Sequence, residues 1–140
     1  MIFIDTSAFY AILDRDDRAH PAARETWEAL LSLDDLPPLL TSNYILIECF
    51  ALIQARLGLA AVRELNDSVL PVVSLCWVTE QDHASATAAL LAANRRGLSL
   101  VDCTSFQVMR RIGITRAFAF DRHFSEQGFE VLPLDQGGDH

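Results

Sequence analysis

Apolar residues along this chain gather in brief runs, separated by longer stretches whose apolar positions have helical spacing. The brief runs are Ile2-Phe3-Ile4, Leu39-Leu40-Thr41, Val72-Val73-Ser74-Leu75, Arg116 to Phe120 and Glu130-Val131-Leu132. Short apolar runs bounded by turn residues read as strands. Between them the pattern predicts helices from Thr6 or Ser7 to Leu13, Pro21 to Leu33, Ser42 or Asn43 to Leu57, Leu59 to Val69, Thr79 to Arg96, and Asp102 to Ile112. Gly58, Gly97 and Gly113 stand where three of these should stop, and Thr79-Glu80-Gln81-Asp82 has the form of a capping box. Strands alternating with helices predict an α/β domain: a short parallel central sheet of about four to five strands, flanked by helices on both faces. No repeat, linker or low-complexity tract divides the chain, so residues 1–135 are expected to form one domain and 136–140 a frayed tail.

Four acids interrupt this apolar pattern. Asp5 follows Met1-Ile2-Phe3-Ile4, Glu48 lies within Tyr44-Ile45-Leu46-Ile47-Glu48-Cys49-Phe50, Asp102 follows Leu98-Ser99-Leu100-Val101, and Asp121 follows Ala117-Phe118-Ala119-Phe120. A carboxylate beside buried strands is costly unless a positive charge compensates it. In parallel sheets ligands bind beyond the carboxyl ends of the strands. Asp5 and Asp121 each end a strand, so both are expected on that edge. Asp102 opens a helix, where the dipole favours an anion. Glu48 falls about one and a half turns into a helix that reads as apolar all round, and therefore as buried.

Four acids meeting in one place would repel one another, and a divalent cation reverses that. Oxygen ligands suit Mg²⁺ or Mn²⁺, as one or two ions. His20, His83 and His123 have no helical pairing and there is no HExxH, which argues against zinc. Such ions activate a water and orient it on phosphorus, so the chemistry indicated is phosphodiester hydrolysis without a protein nucleophile.

The rest of the composition prunes alternatives. All eleven basic residues are arginine, which excludes a P-loop and Schiff-base chemistry. It also argues against haloacid-dehalogenase phosphatases, which need a lysine and an Asp-x-Asp where this chain has Asp5-Thr6-Ser7. The net charge of −8 argues against a protein held on nucleic acid by bulk charge; metal bound at the acids would compensate it locally. Cys49, Cys76 and Cys103 have no ligand spacing and read as small buried hydrophobes. No run reaches the ~18 apolar residues of a membrane span, and no leader pattern opens the chain, so a cytoplasmic protein without membrane contact is expected.

The acid-bearing segments resemble the motifs of one family. MIFIDTSAFYAIL is similar to the opening strand and helix of PIN-domain ribonucleases, TSNYILIE to their second motif, LSLVDCTSF to the third and AFAFDRHF to the fourth. Order and spacing agree over nearly the whole chain, whose length suits the VapC-type toxins of toxin–antitoxin pairs. The resemblance implies a single PIN-like domain and a Mg²⁺- or Mn²⁺-dependent endoribonuclease. Asp5, Glu48, Asp102 and Asp121 would be its catalytic, metal-holding acids, with Asp121 contributing least directly. It also implies a homodimer and a silencing antitoxin. Thr6, Ser7, Thr104 and Ser105 are expected to bond the carboxylates or metal waters. Arg95, Arg96 and Arg122 are candidate RNA contacts, and His123 can approach the phosphate. The rival reading is a non-catalytic PIN-like binding module, in which Glu48 would pair with an arginine such as Arg56 or Arg63.

Overall fold

The computed structural model describes residues 1–134; the predicted tail, 136–140, lies outside the described residues. Five strands, β1 (Ile2–Ile4), β2 (Leu39–Ser42), β3 (Ser74–Cys76), β4 (Arg116–Phe118) and β5 (Glu130–Leu132), form one sheet in the order β3-β2-β1-β4-β5. Every neighbouring pair is parallel. All three residues of β1 are fully buried, because helices cover both faces of the sheet there. Phe9, Phe118 and Phe124 complete the core against them.

This order places the site. From β1 the chain builds outward through β2 to β3, then returns to lay β4 on the other side of β1. Strand order therefore reverses between β1 and β4, and the crevice at such a switch point, beyond the carboxyl ends, is where doubly wound sheets bind ligands. Ile4 pairs with Phe118, so both strands end level. The backbone N–H of Asp5 then donates to the Phe118 carbonyl at 3.0 Å, and Thr41 Oγ1 donates to the Ile4 carbonyl at 2.9 Å.

The helices are α1 (Thr6–Leu13), α2 (His20–Leu31), α3 (Asn43–Leu57), α4 (Leu59–Glu64), α5 (Glu80–Ala93), α6 (Leu100–Ile112) and α7 (His123–Glu126). Several differ from the pattern-based expectation. The helix expected over Leu59–Val69 leaves α geometry after Glu64, continues as a π-helical turn over Leu65–Val69 and tightens to 3₁₀ over Leu70–Val72. Strand β3 consequently starts at Ser74 rather than Val72. Helix α5 stops at Asn94, not Arg96, because Asn94 takes the left-handed conformation at φ 50° and ends the helix before Gly97 is reached. Helix α3 is not apolar-buried all round: Ile45, Cys49 and Ile53 face the core, whereas Ile47 is 70% exposed.

Capping matters most at α6. Ser99 is its N-cap: Ser99 Oγ accepts from the Asp102 N–H, and Asp102 Oδ2 accepts from the Ser99 N–H, both at 3.0 Å. Asp102 is thus the third residue of the helix rather than its first. Ser99→Ala removes one of these bonds and should cost about 1 kcal/mol, read as a lowered thermal midpoint.

Candidate active site

Asp5 is the N-cap of α1, a task the sequence assigns to Thr6 or Ser7. Its extended backbone at φ −87° and ψ 160° is the reason: strand geometry persists through Asp5, and the helix begins one residue later. Asp5 Oδ2 accepts from Ser7 N–H at 3.1 Å and from Ser7 Oγ–H at 2.6 Å. Ser7 Oγ in turn accepts from the Phe120 N–H at 2.9 Å, which ties the start of α1 to the chain just before Asp121. The Asp5 side chain is buried, and its pKa is pushed up from an ordinary 3.8 to about 7. Burial is the main cause; the charges of Asp102 and Asp121 add to it, and the Ser7 hydrogen bonds oppose it.

Asp121 lies three residues beyond β4 rather than directly at its end. Its Oδ1 accepts from the His123 N–H at 2.9 Å and lies 2.7 Å from His123 Nδ1. The ring nitrogen is off hydrogen-bond alignment there, so the contact is one of proximity. His123 Nδ1 is also 3.6 Å from Asp102 Oδ2. Ligand atoms of Asp102, Asp121 and His123 all fall within 4.8 Å of one another. Burial raises the Asp102 pKa, and Asp121 adds to the rise; the Ser99 bonds and His123 oppose it.

Three of the four sequence-predicted acids thus share one electrostatic neighbourhood. Glu48 is less closely tied to it. It sits half-buried on α3, and its link to Asp5 is through Cys49, whose thiol is pushed up to about 12 by burial and by the charges of both acids. Among the described residues no arginine pairs with Glu48, contrary to the rival reading. His123 is a close member of the cluster that metal-ligand spacing rejects. Its position two residues after Asp121 was the available signal, and α7 supplies the turn that brings its ring back.

The supporting residues divide. Ser7 bonds Asp5 as expected. Thr6 Oγ1 is buried and has no protein partner among the described residues. Thr104 Oγ1 and Ser105 Oγ instead donate back to the Leu100 and Val101 carbonyls at 2.8 and 3.0 Å, a local alternative open to hydroxyls inside helices. Arg95 is engaged by Glu126 at 3.1 Å and Arg122 by the same acid at 3.5 Å, while Arg96 has no ion pair among the described residues. Cys49 and Cys103 are buried and Cys76 half-buried, all as free thiols. A larger apolar cleft of about 610 Å³ between α2 and the end of β5 contains none of the four acids.

The donor set fits a hard divalent cation. Carboxylates are crowded, two with raised pKa values, and the buried hydroxyl of Thr6, next in sequence to Asp5, lacks a partner among the described residues. His123 adds a nitrogen to this group of ligand atoms, where oxygen donors alone were expected.

A small parallel sheet with acids collected at its switch point, reached by these four sequence motifs, defines a PIN domain. The PIN-domain family model matches residues 2–130, and the chain belongs to that family. Within it, the chain is a homologue of VapC-type toxins. It is 38% identical over 135 residues to the 23S rRNA-specific endonuclease VapC20 of Mycobacterium tuberculosis, covering 95% of this chain and 99% of that protein. The crystal structure of M. tuberculosis VapC20, a sarcin-ricin loop cleaving toxin, superposes with a TM-score of 0.77 at 34% identity, over 92% of this chain and 96% of that one. FitAcB from Neisseria gonorrhoeae has a TM-score of 0.67 at 16% identity, over 94% and 96% of the two chains, and shares the fold. No helix among the described residues is long and apolar enough to cross a membrane.

Proposed function

We propose that this chain is a Mg²⁺- or Mn²⁺-dependent endoribonuclease and the toxin of a toxin–antitoxin pair, acting in the cytoplasm. The observation that carries the reading is the convergence of Asp5, Asp102 and Asp121 at the β1–β4 switch point, in a chain 38% identical to an rRNA endonuclease. Asp5, Asp102 and Asp121 would hold the cation, with Glu48 at the margin and His123 beside Asp121. When bound, the cation supplies a water of lowered pKa and stabilises the leaving oxygen. The chain's own residues do the rest. Ser7 holds Asp5 in one orientation, Ser99 does so for Asp102, and the buried floor of β1 and β4 excludes bulk water. His123, beside Asp121, would approach the scissile phosphate.

The substrate we propose is RNA of the large ribosomal subunit containing the sarcin-ricin loop, as for the VapC20 relative. A small antitoxin would silence the site, an inserted arginine being the group best matched to clustered carboxylates. The exposed Ile47 and Leu59, on α3 and α4, suit a homodimer face. The test is cleavage of a sarcin-ricin hairpin. Cutting at one phosphodiester with Mg²⁺ or Mn²⁺, abolished by EDTA, is expected; metal-independent cutting, or none with either ion, would refute the reading.

A further inference from the structure

A groove of about 550 Å³ is lined by Ser7 and Phe120. These two residues also belong to the hydrogen-bonded framework of the acid site, since Phe120 N–H donates to Ser7 Oγ and Ser7 Oγ–H to Asp5. The groove therefore shares two residues with the framework that orients Asp5 and directly precedes Asp121, although none of the four acids lines it. Its other walls are Tyr10 on α1, Leu52 on α3, and Asp17 and Arg18 in the α1–α2 turn.

Two aromatic rings are held in fixed positions here. The Tyr10 hydroxyl donates to Asp14 Oδ2 at 2.6 Å, and the Arg56 guanidinium lies 5.6 Å from the ring centroid. The Phe120 ring packs edge-on against the buried Phe118, with centroids 6.0 Å apart, and directly precedes Asp121. Arg18 is exposed and has no ion pair among the described residues. The neighbouring Asp17 carboxylate is engaged by its own turn, accepting from the Ala19 N–H at 2.8 Å.

Rigid aromatic surfaces beside a free guanidinium are the elements with which proteins hold single-stranded RNA: bases stack on the rings while the cation meets the backbone. The volume lies within the range of small-ligand pockets. Building on the nuclease reading above, we infer that this groove seats an unpaired nucleobase adjoining the scissile phosphate, stacked against Phe120, with Tyr10 as a side wall and Arg18 on the next phosphate. The flanking base is thereby fixed while the acids act on its phosphate, which makes the groove a specificity determinant rather than part of the cleavage machinery. It also requires that the cut site be extruded from a loop, because a paired base could not enter.

The test crosses the enzyme with its substrate. Wild type and Phe120→Leu are each assayed on an intact sarcin-ricin hairpin and on hairpins with an abasic nucleotide immediately 5′ or 3′ of the cut. Loss of one base stack should lower wild-type kcat/KM at one abasic position by about 5- to 150-fold. Phe120→Leu should lose a comparable factor on intact RNA and little further on that abasic RNA. The abasic arm with wild type needs no variant, so poor folding of Phe120→Leu cannot hide the answer. Equal cutting of intact and both abasic RNAs by wild type overturns the inference and leaves the nuclease reading intact. Losses that multiply independently overturn it too. A Phe120→Leu enzyme that cuts all RNAs like wild type but escapes its antitoxin would assign the groove to that protein instead. A wild type that cuts no RNA defeats both readings.

Discussion

Asp5→Asn is expected to abolish RNA cleavage while leaving the fold intact. Partners that merely orient metal ligands typically contribute about 10–100-fold to affinity or activity, so loss of a ligand carboxylate should lower kcat/KM by more than about a hundredfold. The position tolerates the change structurally. Asn caps helices about as well as Asp, and its carbonyl can still accept from Ser7. Ser7→Ala is the milder companion: it removes the 2.6 Å bond to Asp5 and should fall within that 10–100-fold range. Single-turnover cleavage with saturating Mn²⁺ reads both. Wild-type rates for Asp5→Asn would remove Asp5 from the chemistry.

The second large effect is on stability. In the absence of metal, the folded state holds a proton on Asp5 up to about pH 7, whereas an ordinary aspartate releases it near 3.8. The folded state therefore binds more protons than the unfolded one across that interval, and stability falls as pH rises through it. The shift corresponds to a loss on the order of 4 kcal/mol. Asp102, also raised, acts with the same sign. Divalent metal should reverse the loss, because it binds the ionised acids: at a hundred times Kd it adds about 2.7 kcal/mol, roughly 10 °C in thermal midpoint. Thermal melts at pH 5 and pH 8, with EDTA or Mn²⁺, are expected to show the ion stabilising strongly at pH 8 and weakly at pH 5. Asp5→Asn should be more stable than wild type at pH 8 in EDTA and gain little from Mn²⁺. A wild type equally stable at both pH values in EDTA and unmoved by Mn²⁺ would contradict this account.

That trade-off explains which parts of the molecule could be read before folding. Asp5, Glu48, Asp102 and Asp121 stood out because each ends or interrupts an apolar run, and burial raises the pKa of Asp5 and Asp102 as such a position demands. The strands around β1 were legible for the same reason, being too short and too apolar to be surface. Side-chain direction was not legible. Thr104 and Ser105 adjoin Asp102 in sequence yet turn back onto their own helix. His123 has no ligand partner at helical spacing, and the 2.7 Å approach of its ring to Asp121 is set by the fold of α7. The end of α5 was hidden because Asn94 adopts a left-handed cap conformation that competes with the more obvious Gly97. The exposed face of α3 could not be assigned from the pattern, because Ile47 is apolar and periodicity does not separate a core face from an exposed one.

Crystals soaked with Mn²⁺ test the central claim most directly. Anomalous scattering should show density at the β1–β4 switch point, with carboxylate oxygens of Asp5, Asp102 and Asp121 at about 2.0–2.2 Å, and none in Asp5→Asn crystals. Manganese bound elsewhere, or a Mn²⁺-saturated crystal with nothing between these acids, would contradict it.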